Sequence, residues 1–155
     1  MKKKLMWIIS WIALITLILF WFFAYKEMND YTNIIKLNRW IQIPKEANVE
    51  EIYSKDSWES FHWDGIRYHV YSYENQEVVE SMLDWVNALH MVPENYWGLF
   101  EPVDIRLDEL DVETKYSPTI TQVVRAYYKK QQDNSEILIL LNDIEKKLYI
   151  FESFL

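Results

Sequence analysis

The sequence predicts an α+β protein: an N-terminal transmembrane helix followed by a mainly antiparallel β-sheet domain with one principal helix packed on it. Three observations predict it. Leu5 to Tyr25 reads LMWIISWIALITLILFWFFAY, about 20 residues without a charge, enough to cross a hydrocarbon core of about 30 Å. The last third alternates β-rich segments with short polar turns. Between them lies a single apolar stripe at helical spacing.

The apolar segment carries only two hydroxyl side chains, Ser10 and Thr16, and each can return a hydrogen bond to the carbonyl one turn back. Trp7 and Trp11 lie near one end, and Phe20, Trp21, Phe22, Phe23 and Tyr25 crowd the other, as interfacial aromatic belts require. A cleavable signal peptide needs small residues three and one before the cut. Ala24 supplies one of them, but Phe22 is too large for the other, so the segment reads as an uncleaved anchor. Lys2, Lys3 and Lys4 cluster before it, whereas Lys26, Lys36 and Arg39 are diluted by Glu27 and Asp30 after it. The positive-inside rule therefore predicts a cytoplasmic N-terminus and an extracytoplasmic C-terminal domain.

The chain divides accordingly into a cytoplasmic stub with the anchor (1–25), a juxtamembrane segment (26–44) and an exported acidic α+β domain (45–155). Ile35, Leu37, Ile41 and Ile43 alternate with Lys36, Asn38 and Gln42, predicting a strand that Pro44 ends. A second short strand is expected over Val49–Ser54. Trp58 to Trp63, Asp64-Gly65 and Ile66 to Tyr73 read as a β-hairpin with a two-residue turn. That pairing sets Phe61 opposite Tyr68 and Ser60 opposite His69. It gathers Phe61, Trp63, Ile66, Tyr68 and Val70 on a core face, and His62, Arg67, His69 and Tyr71 on the other.

Asn75 is a good N-cap for a helix from Gln76 to about His90, with Glu77 and Glu80 in its opening turns. Its stripe is Val78, Val79, Met82, Leu83, Val86 and Leu89. From Met91 to Ser117 the pattern is irregular, with short helical turns expected around Asn95–Phe100 and Leu107–Leu110. Gln122–Lys130, Glu136–Asn142 and Lys147–Ser153 then form a predicted meander. The run Ile137–Leu141 is apolar on both faces, which marks its strand as central.

Composition narrows the function. With no cysteine, disulfides, thiolate zinc sites, cysteine nucleophiles and cysteine-linked lipids are excluded. Only two glycines, Gly65 and Gly98, leave no glycine-rich loop to cradle a nucleotide. Beyond Tyr25 lie 13 of the 16 basic residues against all 24 acidic ones, a formal charge of −11 that repels phosphate backbones. Nucleic acid is thus not an expected partner; the membrane, through Leu5 to Tyr25, and another envelope protein are.

Three groups of residues could carry chemistry. His62, Asp64 and His69 offer two imidazoles and a carboxylate for a divalent metal, although Arg67 on the same face opposes a cation and Asp64 also serves the turn. Asp104, Asp108, Glu109, Asp111 and Glu113 form an acidic run without the alternating oxygens and central glycine of a calcium loop, and read as a solvated loop. Tyr96, Trp97 and Phe100 on the irregular loop are the aromatic candidates for binding a partner or stacking on a sugar. No nucleophile elbow or HExxH helix is present, so no catalytic residue is assigned and no cofactor is expected.

IPKEANVEEIY, HWDGIRYHVYSY, a single helix and a terminal LYIFE strand together resemble small membrane-attached proteins of low-GC Gram-positive bacteria. The resemblance implies an exported α+β domain and carries no catalytic residues with it. The leading expectation is a non-enzymatic interaction module in immunity, envelope assembly or signalling. A ligand- or carbohydrate-binding sensor using exposed tryptophans is the alternative, and a small metal-dependent enzyme the third.

Overall fold

The computed structural model describes residues 2–57, 65–87, 107–119, 123 and 125–154. The chain forms two compact units, Met1–Ile43 and Pro44–Leu155.

In the first unit, α1 (Lys2–Asn29) is one 28-residue helix, about 42 Å long at 1.5 Å per residue. Its Ile9–Met28 stretch is apolar and long enough to cross a membrane, and none of it is buried. Thr16 Oγ1 donates to the Ile12 carbonyl at 2.9 Å, removing the cost of a hydroxyl in an apolar segment. Asp30, in an extended conformation, ends the helix and caps the next, accepting from the Thr32 backbone N–H at 2.9 Å and from its hydroxyl at 2.7 Å.

The expected strand over Ile35–Ile43 is instead α2 (Tyr31–Arg39), closed by Trp40 in the left-handed conformation. The alternation of four aliphatic residues competes with a longer spacing: Tyr31, Ile35 and Arg39 recur every four residues, and these are the residues α2 buries. With an Asp-x-Thr cap in place, the helical period wins. Alternation survives only beyond the helix, where Ile41 and Ile43 are buried and Gln42 is exposed.

In the second unit a 3₁₀ turn (Lys45–Ala47) leads into β1 (Glu50–Asp56). β2 (Gly65–Ser72), α3 (Gln76–Ser81) and the two-residue β3 (Val86–Asn87) follow, then β4 (Arg125–Lys130), β5 (Glu136–Asn142) and β6 (Lys147–Phe154). Among the described residues these strands make one antiparallel sheet in the order β1-β2-β6-β5-β4-β3. The fold is α+β, as expected, and the C-terminal meander forms over nearly the expected residues. The two central strands are β6 and β5. All of Ile137–Leu141 is buried, consistent with a strand covered on both faces.

Two further expectations are corrected. The expected two-residue hairpin, with Ser60 opposite His69, is not the pairing of β2, because both edges of β2 are taken by other strands. One edge is taken by β1, with Ser54 opposite His69 and Asp56 opposite Arg67, and the other by β6, with Phe151 opposite Tyr68. The Ser57 N–H continues the first ladder to the Ile66 carbonyl at 2.9 Å. Trp58 to Asp64 themselves lie outside the described residues.

The second correction concerns the principal helix. Asn75 caps it as expected, accepting from the Val78 N–H, but the helix stops at Ser81 rather than running to His90. The Trp85 indole N–H donates back to the Val79 carbonyl at 3.2 Å, satisfying an end group that another helical turn would have used. Val86, β-branched and freed from the helix, pairs with Ala126 at the sheet edge.

One sheet face packs an aromatic core. Tyr68, Val70, Ala126, Leu138, Leu140, Tyr149 and Phe151 meet Leu107 and Leu110, which flank a single helical turn at the expected place. Tyr53 stacks on Tyr116 at 4.2 Å and meets Tyr68 edge-on, while the Tyr68 hydroxyl donates to the Tyr116 carbonyl. On the other face Ile137, Ile139, Leu141, Leu148 and Ile150 are buried, together with His69, Tyr71 and Glu152.

Candidate functional site

The polar corner of that second face is built by β2 and β1. Alternation along β2 sends Ile66, Tyr68 and Val70 into the aromatic core and leaves Arg67, His69 and Tyr71 on the opposite face. Across the ladder, Ser54 and Asp56 share that face with His69 and Arg67. A bulge at Ile52 then shifts the register by one residue, so that Glu51 pairs with Tyr71. The shift turns Glu51 to the side of His69, a side that strict alternation would have denied it.

The geometry follows from this register. Glu51 Oε1 lies 2.6 Å from His69 Nδ1, and Asp56 Oδ1 lies 3.8 Å from Nε2. Arg67 Nε is 3.7 Å from the other Asp56 oxygen, and its guanidinium sits 4.8 Å from the centre of the Phe154 ring. Glu152, fully buried, stands opposite Arg67 in the β2–β6 ladder. The short bond fixes the imidazole with its Nδ1 proton toward Glu51. His69 thus stands between two carboxylates, hydrogen-bonded to Glu51 and 3.8 Å from Asp56, with the Arg67 guanidinium beyond. Among the described residues, no group of three or more His, Asp or Glu side chains is arranged to hold a metal ion.

A second network ties α3 to the sheet. Glu80 accepts from Gln76 at 2.8 Å and pairs with Arg125 Nη1 at 3.0 Å. These bonds, Gln76 first, hold the Glu80 carboxyl below its usual range. Asp143, at the end of β5, is pushed up by burial despite the Arg125 charge nearby. Burial, then the charges of Asp143 and Glu80, pushes the Tyr73 phenol up to about 12. The network fastens the helix, β4 and the β5–β6 turn to one another.

Of the residues singled out from sequence, His69 is described and is placed as above. His62, Asp64, Tyr96, Trp97, Phe100 and Asp104 lie outside the described residues. Asp108, Glu109, Asp111 and Glu113 are exposed, as a solvated acidic loop should be. Lys55 Nζ donates to the Asp111 carbonyl at 3.1 Å, and Lys115 pairs with Glu113 at 2.9 Å. Sequence reasoning missed Glu51 and Asp56 as partners of His69. The alternation in β1 could have offered Asp56, but nothing local announces the bulge that brings Glu51 round.

Comparison with protein-family models, curated proteins and solved structures finds no match to this chain.

Proposed function

We propose that the protein is a single-pass membrane protein that presents an acidic extracytoplasmic domain to another envelope protein, and that it works by binding rather than by catalysis. The observation that carries this reading is the Ile9–Met28 stretch, wholly unburied, attached to a separately compact sheet domain. A soluble protein would have to expose those side chains to water, whereas a bilayer covers them. The excess of Lys2, Lys3 and Lys4 on the short side supports a cytoplasmic N-terminus. The acidic balance of the domain favours a partner with a basic surface.

The alternatives have less support. The metal-dependent enzyme has less support because, among the described residues, no three His, Asp or Glu side chains are grouped to hold an ion. Trp85 is turned inward to α3, so a sugar-stacking row would have to be built elsewhere.

Crosslinking of the tagged full-length protein in its native cells, followed by mass spectrometry, tests the binding reading. One dominant envelope partner is the expected result. A preparation without a partner, combined with saturable binding of a cell-wall sugar, would replace it with the sensor reading.

A further inference from the structure

The short helix after the membrane span exposes two large apolar side chains in a place where water is not the only available surroundings. α2 buries Tyr31, Ile35 and Arg39 on one side. At 100° per residue, Leu37 falls on the opposite side, and it is 77% exposed. Trp40, at the C-cap, is 86% exposed, and Lys36 beside them is also exposed.

Trp40 is also strained. Its φ of 59° lies in the left-handed region, which costs a non-glycine residue about 1–2 kcal/mol and which bulky side chains rarely enter. A tryptophan held in that conformation and turned outward gains nothing from water. The headgroup layer of a bilayer is the environment that indole rings favour, with the ring among upper acyl carbons and the N–H among polar groups. Lysine beside it can extend its charge to phosphate while its stem stays apolar.

The chain path makes this position reachable. Were α2 a straight continuation of α1, Trp40 would stand about 18 Å beyond Met28, outside the headgroup layer. It is not a continuation. Asp30 interrupts the helix with an extended ψ of 117°. Across the break, the Asn33 side chain donates to the Glu27 carbonyl at 2.8 Å, six residues back. The extended Asp30 breaks the helical run and the Asn33 bond ties the first turn of α2 to the end of α1, so the chain turns at Asp30.

We propose that α2 lies in the headgroup layer of the phospholipid bilayer, seated by Leu37 and Trp40 with Lys36 toward the phosphates, giving the protein a second membrane contact beside its span. This deepens the proposed function and rests on α1 spanning the membrane. The chain contains no cysteine, so single nitroxide labels can be placed on the full-length protein in phosphatidylcholine–phosphatidylglycerol vesicles. Three variants are compared: Leu17→Cys within the span, Leu37→Cys on α2, and Ile144→Cys on an exposed turn of the domain. Collision rates with oxygen and with a water-soluble nickel chelate report depth.

The label at position 37 should meet the chelate several-fold less and oxygen several-fold more than the label at 144, and Trp40→Ser should return it toward the behaviour at 144. Equal chelate access at 37 and 144, with position 17 still inaccessible, overturns the interfacial seat and leaves the span intact. Chelate access at position 17 instead removes the span on which it rests. Shielding of position 37 from both reagents means that protein covers it, a second copy included, and also overturns the proposal.

Discussion

Raising the pH above 10 should unfold the sheet domain through its buried tyrosines. Tyr68, Tyr73 and Tyr149 are 0%, 3% and 0% exposed. Burial is the largest obstacle to ionising each of them. Tyr149 and Tyr53 add to it at Tyr68, Asp143 and Glu80 at Tyr73, and Glu145 at Tyr149. From an ordinary value of 10.0, Tyr73 is pushed up to about 12, and the other two are raised further. A folded-state pKa above the unfolded one means that the stabilisation is complete below pH 10 and is lost as pH climbs toward the folded value. Each such group removes up to about 1.4 kcal/mol per pH unit, so the three together remove roughly 6 kcal/mol between pH 10 and 12. That is comparable to the whole stability of an ordinary domain, about 5–15 kcal/mol. Urea midpoints of the full-length protein in micelles, read by near-ultraviolet circular dichroism at stepped pH, should fall steeply over this interval. The part of the tyrosinate absorbance that Tyr73→Phe removes should appear only as the fold is lost. Tyr73→Phe keeps the ring in place and should flatten the slope by about a third or slightly less. A level midpoint between pH 10 and 12, with the absorbance that Tyr73→Phe removes appearing in the folded protein near pH 10, would show that burial does not hold these phenols neutral.

Other substitutions probe the sheet and its turns. Ile139, fully buried between Tyr127 and Ile150 on neighbouring strands, should cost about 3 kcal/mol as Ile139→Ala, read as a lowered urea midpoint with an unchanged slope. Lys146 has a φ of 52° in the β5–β6 turn. Lys146→Gly should therefore stabilise by about 0.5 kcal/mol, the left-handed penalty relieved less the added backbone entropy; a loss of stability in the same assay would show that the Lys146 side chain matters more than its backbone. Asp143 is raised mainly by burial, so its charge weakens the fold above the ordinary carboxyl value of 3.8. Asp143→Asn should stabilise by about 1 kcal/mol or less at neutral pH and by nothing once the pH falls below that value; a gain that persists in acid would point to some cause other than charge.

What could be read from the sequence was what local pattern and turn chemistry decide together. β5 and β6 announce themselves because five consecutive aliphatic residues cannot be half-exposed, and the polar tetrads beside them can only be turns. The N-cap at Asn75 is equally local. The far end of α3 is not, since a side chain folding back from Trp85 and a strand partner at Ala126 decide it. Over residues 31–43 two periods coexist, and the one that includes Tyr31 and Arg39 prevails because Asp30 supplies a cap. The Asp-Gly pair tempted a hairpin at Gly65, but long-range pairing with β6 and β1 takes both edges of β2. His69 was visible as a polar residue on a strand face. Its bond to Glu51 depends on a one-residue bulge, which no local residue signature marks.

The claim that the apolar helix stays in a membrane as part of the mature protein is tested most directly by fractionating cells that express the full chain. The protein should remain with membranes through alkaline carbonate extraction, keep its original N-terminal sequence, and lose its sheet domain to protease added outside intact spheroplasts. Recovery of a soluble protein whose N-terminus begins after the apolar segment would contradict that claim, because the helix would then be a signal sequence removed on export.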